Sequence, residues 1–183
     1  MSNKTSNKSE KKQVNWLIKV FIITFVLSIG FNYLSSEMVE NLNTFLSIII
    51  LILVILTGVV SDLIATAVTA AEEAPFHAKA ADKKRGAKQA VKLIKNADKV
   101  SNVCGDVIGD ICGVLSGATS ALIAVNIANS LGKDVTIVTM IMTATVTACT
   151  VLGKGIGKSI GITKANLIVN ILGICLDFIK IKK

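Results

Sequence analysis

The sequence predicts an all-α, polytopic membrane protein with about four transmembrane helices. Of its 183 residues, 52% are hydrophobic, and the mean hydropathy is +0.67. The apolar residues form long blocks without the polar faces that a water-soluble helix shows at helical period. The blocks are joined by short polar loops and by one long basic stretch, which predicts a basic amphipathic cytoplasmic helix. A C-terminal juxtamembrane helix completes the expected fold.

The apolar blocks give the order of the elements. We expect a disordered basic N-terminus over residues 1–13, because that segment is polar and rich in lysine. An additional transmembrane helix is predicted over 14–34. The remaining long apolar helices are predicted over 44–71, 100–130 and 135–162. A last apolar helix over 165–181 is short for a span, so it either crosses the membrane or lies in the interface.

The stretch from residue 76 to residue 99 is predicted to be a basic amphipathic helix. Small and apolar side chains recur at helical spacing between seven lysines and one arginine; they are Ala87, Ala90, Val91 and Ile94. Such a helix lies on a membrane surface or is solvated on all sides. A nucleic-acid partner is not expected, because no aromatic residues are interleaved with the lysines.

The distribution of the lysines predicts the orientation in a cell membrane. The N-terminus, the 76–99 stretch and the C-terminus are strongly basic, whereas the loops at 35–43 and 131–134 carry one lysine between them. Positively charged segments stay on the cytoplasmic side of the membrane. With four spans, all three basic regions lie on that side, so the N-terminus is predicted to be cytoplasmic and the protein multi-pass.

The residues that carry chemistry lie inside apolar helices. Asp106 and Asp110 are four residues apart in the segment GDVIGDICGVLSG, so a helix places them on one face. Gly105 and Gly109 share their spacing and allow a close helix approach. Asp62 lies at a similar predicted depth in the preceding span. Carboxylates in hydrocarbon need a cation, a lysine or a shared proton to neutralise them.

A metal site is the first of three interpretations of these carboxylates. Asp106, Asp110 and Asp62, with the hydroxyl of Ser61, offer the oxygen ligands that hard cations such as Mg²⁺, Ca²⁺ or Na⁺ prefer. In the second interpretation, Lys154 pairs with the aspartates in a buried salt bridge. In the third, the carboxylates share protons and titrate as a unit. No nucleophile–base pair or phosphate-binding loop is visible, so we do not expect an enzyme.

Three blocks of residues resemble the transmembrane domain of the CNNM/CorC family of magnesium transporters. They are ATAVTAAEEAPFHAKAADKKRGAKQAVKLIKNADK, GDVIGD and GKGIGKSIG, and the resemblance covers residues 44–181. It implies a homodimer with a Mg²⁺ site between helices. The family's ligating asparagines fall on Asp106 and Asp110 and one of its serines on Asp62. The CBS-pair domains that often follow in this family have no counterpart in these residues.

The resemblance also shows where this chain departs from the family pattern. A second ligating serine of the family falls on Ile64, which cannot bind a metal, and a glutamate falls on Lys154. The expected function is therefore a transporter or exporter of a divalent cation, with Mg²⁺ as the expected ion and Na⁺ as a further one. The alternative is a non-transporting membrane scaffold or regulatory protein in which Lys154 neutralises the buried aspartates.

Overall fold

The computed structural model describes residues 18, 20–30, 33, 37 and 43–181. The predicted disordered segment 1–13 lies outside these residues. The predicted helix over 14–34 is covered only in part, by a short apolar helix, α1 (Val20–Gly30). All regular structure in the described residues is helical.

Seven further helices and one π-helical segment follow α1. They are α2 (Thr44–Ala70), α3 (Glu73–Ala81), α4 (Ala87–Lys95), α5 (Ala97–Ser101), the π segment (Asn102–Gly109), α6 (Asp110–Leu131), α7 (Val135–Thr163) and α8 (Ala165–Ile181). The Asp134 side chain caps α7 by accepting a bond from the Thr136 amide at 2.8 Å. Gly132, with φ of +61°, ends α6 in the left-handed conformation that glycine favours.

Three helical stretches among the described residues are long and apolar enough to cross a membrane. They are α2, the continuous stretch Ala97–Leu131, and α7. The prediction of a helical membrane protein is confirmed at this level. Of the predicted span over 14–34, the structure describes residues 18, 20–30 and 33, and α1, like α8, is a shorter apolar helix.

The three long helices pack on one another. The first of them, α2, also contacts α4, α5, the π segment and α8. A stripe of glycines on α7, Gly153, Gly157 and Gly161, faces α2. A Cβ atom on Gly161 would lie only 3.0 Å from the carbonyl oxygen of Leu63, and one on Gly157 would lie 3.2 Å from a methyl carbon of Val59. The stripe therefore lets the two backbones approach closely, which is how helices associate in lipid.

The basic stretch over 76–99 is not one helix, so that prediction is wrong. The chain breaks after α3, where Lys83 and Gly86 adopt positive φ values of 55° and 77°, and again at Asn96. The predicted apolar face is used inside the protein, since Ala87 and Ala90 are buried and Ala90 belongs to a core with Val68 and Val169. That face is not available to a membrane surface, and α4 presents its lysines outward.

Candidate functional site

The centre of the site is the carboxylate of Asp62, in the middle of the bundle. Its side chain is only 9% exposed. The adjoining π segment leaves room for it by presenting glycines: a Cβ on Gly109 would lie 3.2 Å from Asp62 Oδ1, and one on Gly105 would lie 3.6 Å from the same oxygen. Two glycines four residues apart thus lie against the Asp62 carboxylate and let α2 and the π segment approach closely.

Two lysines of α7 neutralise this carboxylate. Lys154 Nζ lies 3.7 Å from Asp62 Oδ2, and Lys158 Nζ lies 3.9 Å from the same oxygen. The lysines are one helical turn apart, so both reach the same point. Their surroundings differ, because the Lys154 side chain is 21% exposed and that of Lys158 is 57% exposed. Lys154 is the inner partner of Asp62, and Lys158 reaches it from the surface.

The π segment contributes backbone oxygens on both sides of Asp62. Ser61 Oγ donates a hydrogen bond of 2.6 Å to the carbonyl oxygen of Cys104, and Lys154 Nζ donates one of 3.1 Å to the carbonyl oxygen of Gly109. A π-helix bonds each amide to a carbonyl five residues back, which changes the direction of the carbonyls relative to an α-helix. Such segments are frequent at functional sites.

The predicted pair Asp106 and Asp110 is divided by the structure. Asp110 Oδ1 lies 4.0 Å from Lys154 Nζ, although its side chain is 75% exposed. Asp106 is exposed and makes no ion pair among the described residues. The prediction assumed α-helical spacing, but Asp106 lies inside the π segment, whose wider turn changes its direction relative to Asp110. Asp62 and Asp110 therefore meet at Lys154, and Asp106 does not join them.

Threonine hydroxyls on α2 and α7 bond to their own helices. Thr143 Oγ1 donates to the carbonyl oxygen of Thr139 at 2.7 Å, and Thr66 Oγ1 donates to that of Asp62 at 2.8 Å. Ser61 is different, because its hydroxyl bonds across to the π segment. It holds α2 against the backbone that flanks Asp62.

Three oxygens from two helical stretches thus surround one ammonium group. They are Asp62 Oδ2 from α2, the Gly109 carbonyl oxygen from the π segment, and Asp110 Oδ1 from α6, all within 4.0 Å of Lys154 Nζ. Mg²⁺ requires oxygens at about 2.1 Å, and Ca²⁺ at about 2.4 Å. The observed arrangement is therefore sized for an ammonium, and a metal ion would require the oxygens to close in. Among the described residues, no three His, Cys, Asp or Glu side chains form a group suited to a metal.

Three parts of this site were not predicted from the sequence: Lys158, the two backbone carbonyls and the π segment. Lys158 follows Lys154 by four residues, so helical spacing alone predicts that the two share a face. For the carbonyls of Cys104 and Gly109, the only sequence indication is the four-residue spacing of Gly105 and Gly109, which predicts a close approach of another helix. The π segment has no sequence pattern that would have revealed it.

Fold and site together describe a helical membrane protein with a cluster of charges between its membrane helices, centred on the buried carboxylate of Asp62. No protein-family model matches the sequence, and neither a curated protein nor a solved structure matches it. The resemblance to the CNNM/CorC family therefore stays a prediction.

Proposed function

We propose that this protein is a membrane transporter or exporter of a divalent cation of the Mg²⁺ type, in which Lys154 occupies the cation site at rest. One observation carries the proposal. Oxygens of Asp62, Gly109 and Asp110 converge on a single cationic group within the bundle. A set of oxygens without nitrogen or sulfur is the kind that hard cations use. In this proposal, the cation takes the position that the ammonium group of Lys154 occupies at rest.

Charge balance determines how a divalent ion enters. As the chain stands, the carboxylates of Asp62 and Asp110 are balanced by the ammonium groups of Lys154 and Lys158. Adding a divalent ion to that neutral cluster would leave two uncompensated positive charges in an apolar bundle, which is costly. Once both lysines leave, the two negative charges of Asp62 and Asp110 balance the two positive charges of the ion. Loading therefore requires the lysines to be displaced.

The exposed side of the site offers a path by which the lysines leave and the ion enters. The side chains of Lys158 and Asp110 are 57% and 75% exposed, so the cluster is open on one side. Lys158 swings out with the least resistance, and Lys154 follows by giving up its bond to Gly109. Asp106, one turn before Asp110, remains a proposed further ligand of the loaded state. A Na⁺ ion would displace only one lysine, which makes it the second ion to test.

A specific observation favours a second candidate function. Lys154 bonds to the Gly109 carbonyl as well as lying beside two carboxylates, so it is held at three points. If it never leaves, the site is a permanent salt bridge and the protein is a non-transporting scaffold or regulatory protein. The two candidates differ in whether the wild-type protein binds a cation.

The test is calorimetric titration of the detergent-purified protein with Mg²⁺. The transporter proposal expects saturable binding in the wild type, tighter binding in Lys154→Met, and none in the Asp106→Asn/Asp110→Asn double variant or in Asp62→Asn. Lys133→Met, in the turn before α7, is the matched control for losing one lysine and should bind like the wild type.

The outcomes separate the two functions. Binding in Lys154→Met but not in the wild type would support the scaffold, because the lysine then excludes the ion completely. Binding in neither would eliminate the cation site. Where the wild type binds, Mg²⁺ uptake into vesicles containing the purified protein then tests transport, with Na⁺ as the competing ion.

We further propose that the protein acts as a homodimer. The outer face of α7 is the proposed contact surface, because it carries small side chains at four-residue spacing, as in Ala144 and Ala148, and is mostly exposed in the single chain. Cys149, also exposed on α7, lies about 100° round the helix from Ala148. Oxidation of Ala148→Cys/Cys149→Ala in membranes should therefore produce a disulfide-linked dimer that Cys149→Ala alone does not form, and its absence at all oxidant concentrations would argue against this face.

A further inference from the structure

The final helix, α8, lies along α4 and packs on the last turn of α2, where Val169 meets Val68. The two backbones touch where Gly86 meets Gly173: a Cβ on Gly86 would lie 2.5 Å from the amide nitrogen of Ile174, and one on Gly173 would lie 2.6 Å from the carbonyl oxygen of Gly86. α4 carries three lysines in nine residues. A helix of that charge is excluded from the bilayer core. Because α8 is packed along it, α8 is not a fourth span of the bundle.

Polar contacts hold α8 to the basic elements along its length. Arg85 Nε lies 3.8 Å from Asp177 Oδ2, and its guanidinium carbon lies 4.1 Å from the centre of the Phe178 ring. Nearer the start of α8, Lys79 Nζ donates a hydrogen bond of 3.2 Å to Asn170 Oδ1. α8 and the α3–α4 pair therefore behave as one unit.

The start of α8 lies at the ends of two membrane helices. α7 ends at Thr163 and α8 begins at Ala165, so a single residue separates them. Asn166 Oδ1 accepts a hydrogen bond of 3.1 Å from the amide of Glu72, which follows the end of α2. The junction is thus at the level where α2 and α7 leave the membrane.

One face of α8 is apolar and uncovered. Leu167, Ile171 and Phe178 are 59%, 51% and 57% exposed. Their spacing of four and seven residues places them on one face. Val169 and Gly173, on the other side, are buried against the protein. α8 therefore has an inner face satisfied by protein and an outer apolar stripe.

We propose that α8 lies in the interfacial layer of a bilayer leaflet that contains anionic phospholipid. Its outer apolar stripe enters the upper acyl region, and the outward lysines of α4 bind the anionic headgroups. Residues 72–99 carry eight basic and four acidic side chains, a net charge of +4. An apolar stripe beside basic residues is typical of helices that bind anionic membranes. The prediction from sequence differs, because there a basic amphipathic helix over 76–99 lies on the membrane surface or is solvated on all sides.

Brominated phospholipids measure the depth of the stripe in the full chain. Trp16 is the only tryptophan in the sequence, so Trp16→Phe provides a background for Ile171→Trp. In vesicles of phosphatidylcholine and phosphatidylglycerol, bromines near the headgroup should quench this tryptophan more than bromines near the acyl end. Leu56→Trp, at an exposed position in the middle of α2 and away from the proposed dimer face, is the matched control and should show the opposite order.

Three results would overturn the proposal. Stronger quenching of Ile171→Trp by deep bromines would mean that α8 crosses the bilayer. Quenching only by an aqueous quencher would place the stripe in water. Protection from both kinds of quencher would mean that protein, either a second copy or another partner, covers it.

The charge component is tested by comparing brominated phosphatidylglycerol with brominated phosphatidylcholine as quenchers. The preference for the anionic lipid should fall by about fivefold or more when three lysines of α4 are neutralised, since each contributes to attraction near an anionic surface. The variant is Lys88→Gln/Lys92→Gln/Lys95→Gln. An N-terminal variant with the same change in charge, Lys4→Gln/Lys8→Gln/Lys11→Gln, should retain the preference. Equal effects of the two variants would refute the role of α4.

Discussion

Replacing Lys154 by methionine tests whether its ammonium is what allows a carboxylate to be buried in this bundle. Methionine keeps most of the apolar stem, so the change mainly removes the charge. Asp62, only 9% exposed, loses its inner partner. Breaking a buried ion pair by removing one partner costs about 3–5 kcal/mol. The lost hydrogen bond to the Gly109 carbonyl adds to this, since bonds from charged donors contribute about 1.5–3 kcal/mol.

Two features reduce that cost. Lys158 stays 3.9 Å from Asp62 Oδ2 and keeps part of the compensation. The Asp110 side chain is 75% exposed, so losing its contact with Lys154 does not leave it enclosed by protein. We therefore expect Lys154→Met to lower the free energy of unfolding by about 2–4 kcal/mol. Reversible denaturation of the purified protein in mixed micelles measures this difference.

Two controls isolate the charge. Lys158→Met removes an equivalent lysine one turn later, but its side chain is 57% exposed, so we expect a loss of about 0–1 kcal/mol. Adding Asp62→Asn to Lys154→Met removes the unpaired charge and should recover most of the lost stability. If Lys154→Met costs no more than Lys158→Met, or if Asp62→Asn brings no recovery, the ion pair does not have the role assigned to it.

Two further predictions concern α3 and the start of α4, which lie outside the three long apolar helices. Gly86→Ala should destabilise the protein by about 2 kcal/mol or more beyond the effect of Gly132→Ala. Both glycines have positive φ, but only the Gly86 Cβ would meet backbone, 2.5 Å from the Ile174 amide nitrogen, so equal losses in the two variants would contradict the α4–α8 contact. The second prediction concerns pH. The hydrogen bond with His77 holds the pKa of Glu73 below its usual value of 4.5, so the stability that Glu73 adds over Glu73→Gln is present above that pH and is lost as the pH falls. Unfolding midpoints of both proteins between pH 3 and pH 6 measure this difference, and a difference that grows toward low pH would contradict the prediction.

The long apolar helices were predictable because hydrophobic blocks of this length leave few alternatives in water or lipid. The predicted starts at residues 44 and 135 coincide with those of α2 and α7. The segment 76–99 was predicted wrongly because its helical periodicity continues across Gly86, although the backbone there adopts positive φ to place the glycine against α8. That contact is between residues far apart in sequence, and periodicity does not report it.

The candidate site was predicted in part for a related reason. The cost of burying Asp62 required a partner, and Lys154 was among those considered. Whether Asp106 shares a face with Asp110 depends on the helix type, and the residues of this segment carry no pattern that distinguishes a π turn from an α turn. The contribution of backbone carbonyls likewise depends on that choice.

The glycine stripe of α7 has a consequence for how this sequence is able to vary. In lipid, apolar side chains on the outside of a helix are exchanged for one another at little cost, since acyl chains are as apolar as leucine. Gly157 and Gly161 lack that freedom, because the backbone and side chains of α2 occupy the space that a methyl group would take. The hydrophobic residues that make up most of α7 are thus the interchangeable part of the helix, and the residues with no side chain are the ones that fix its position.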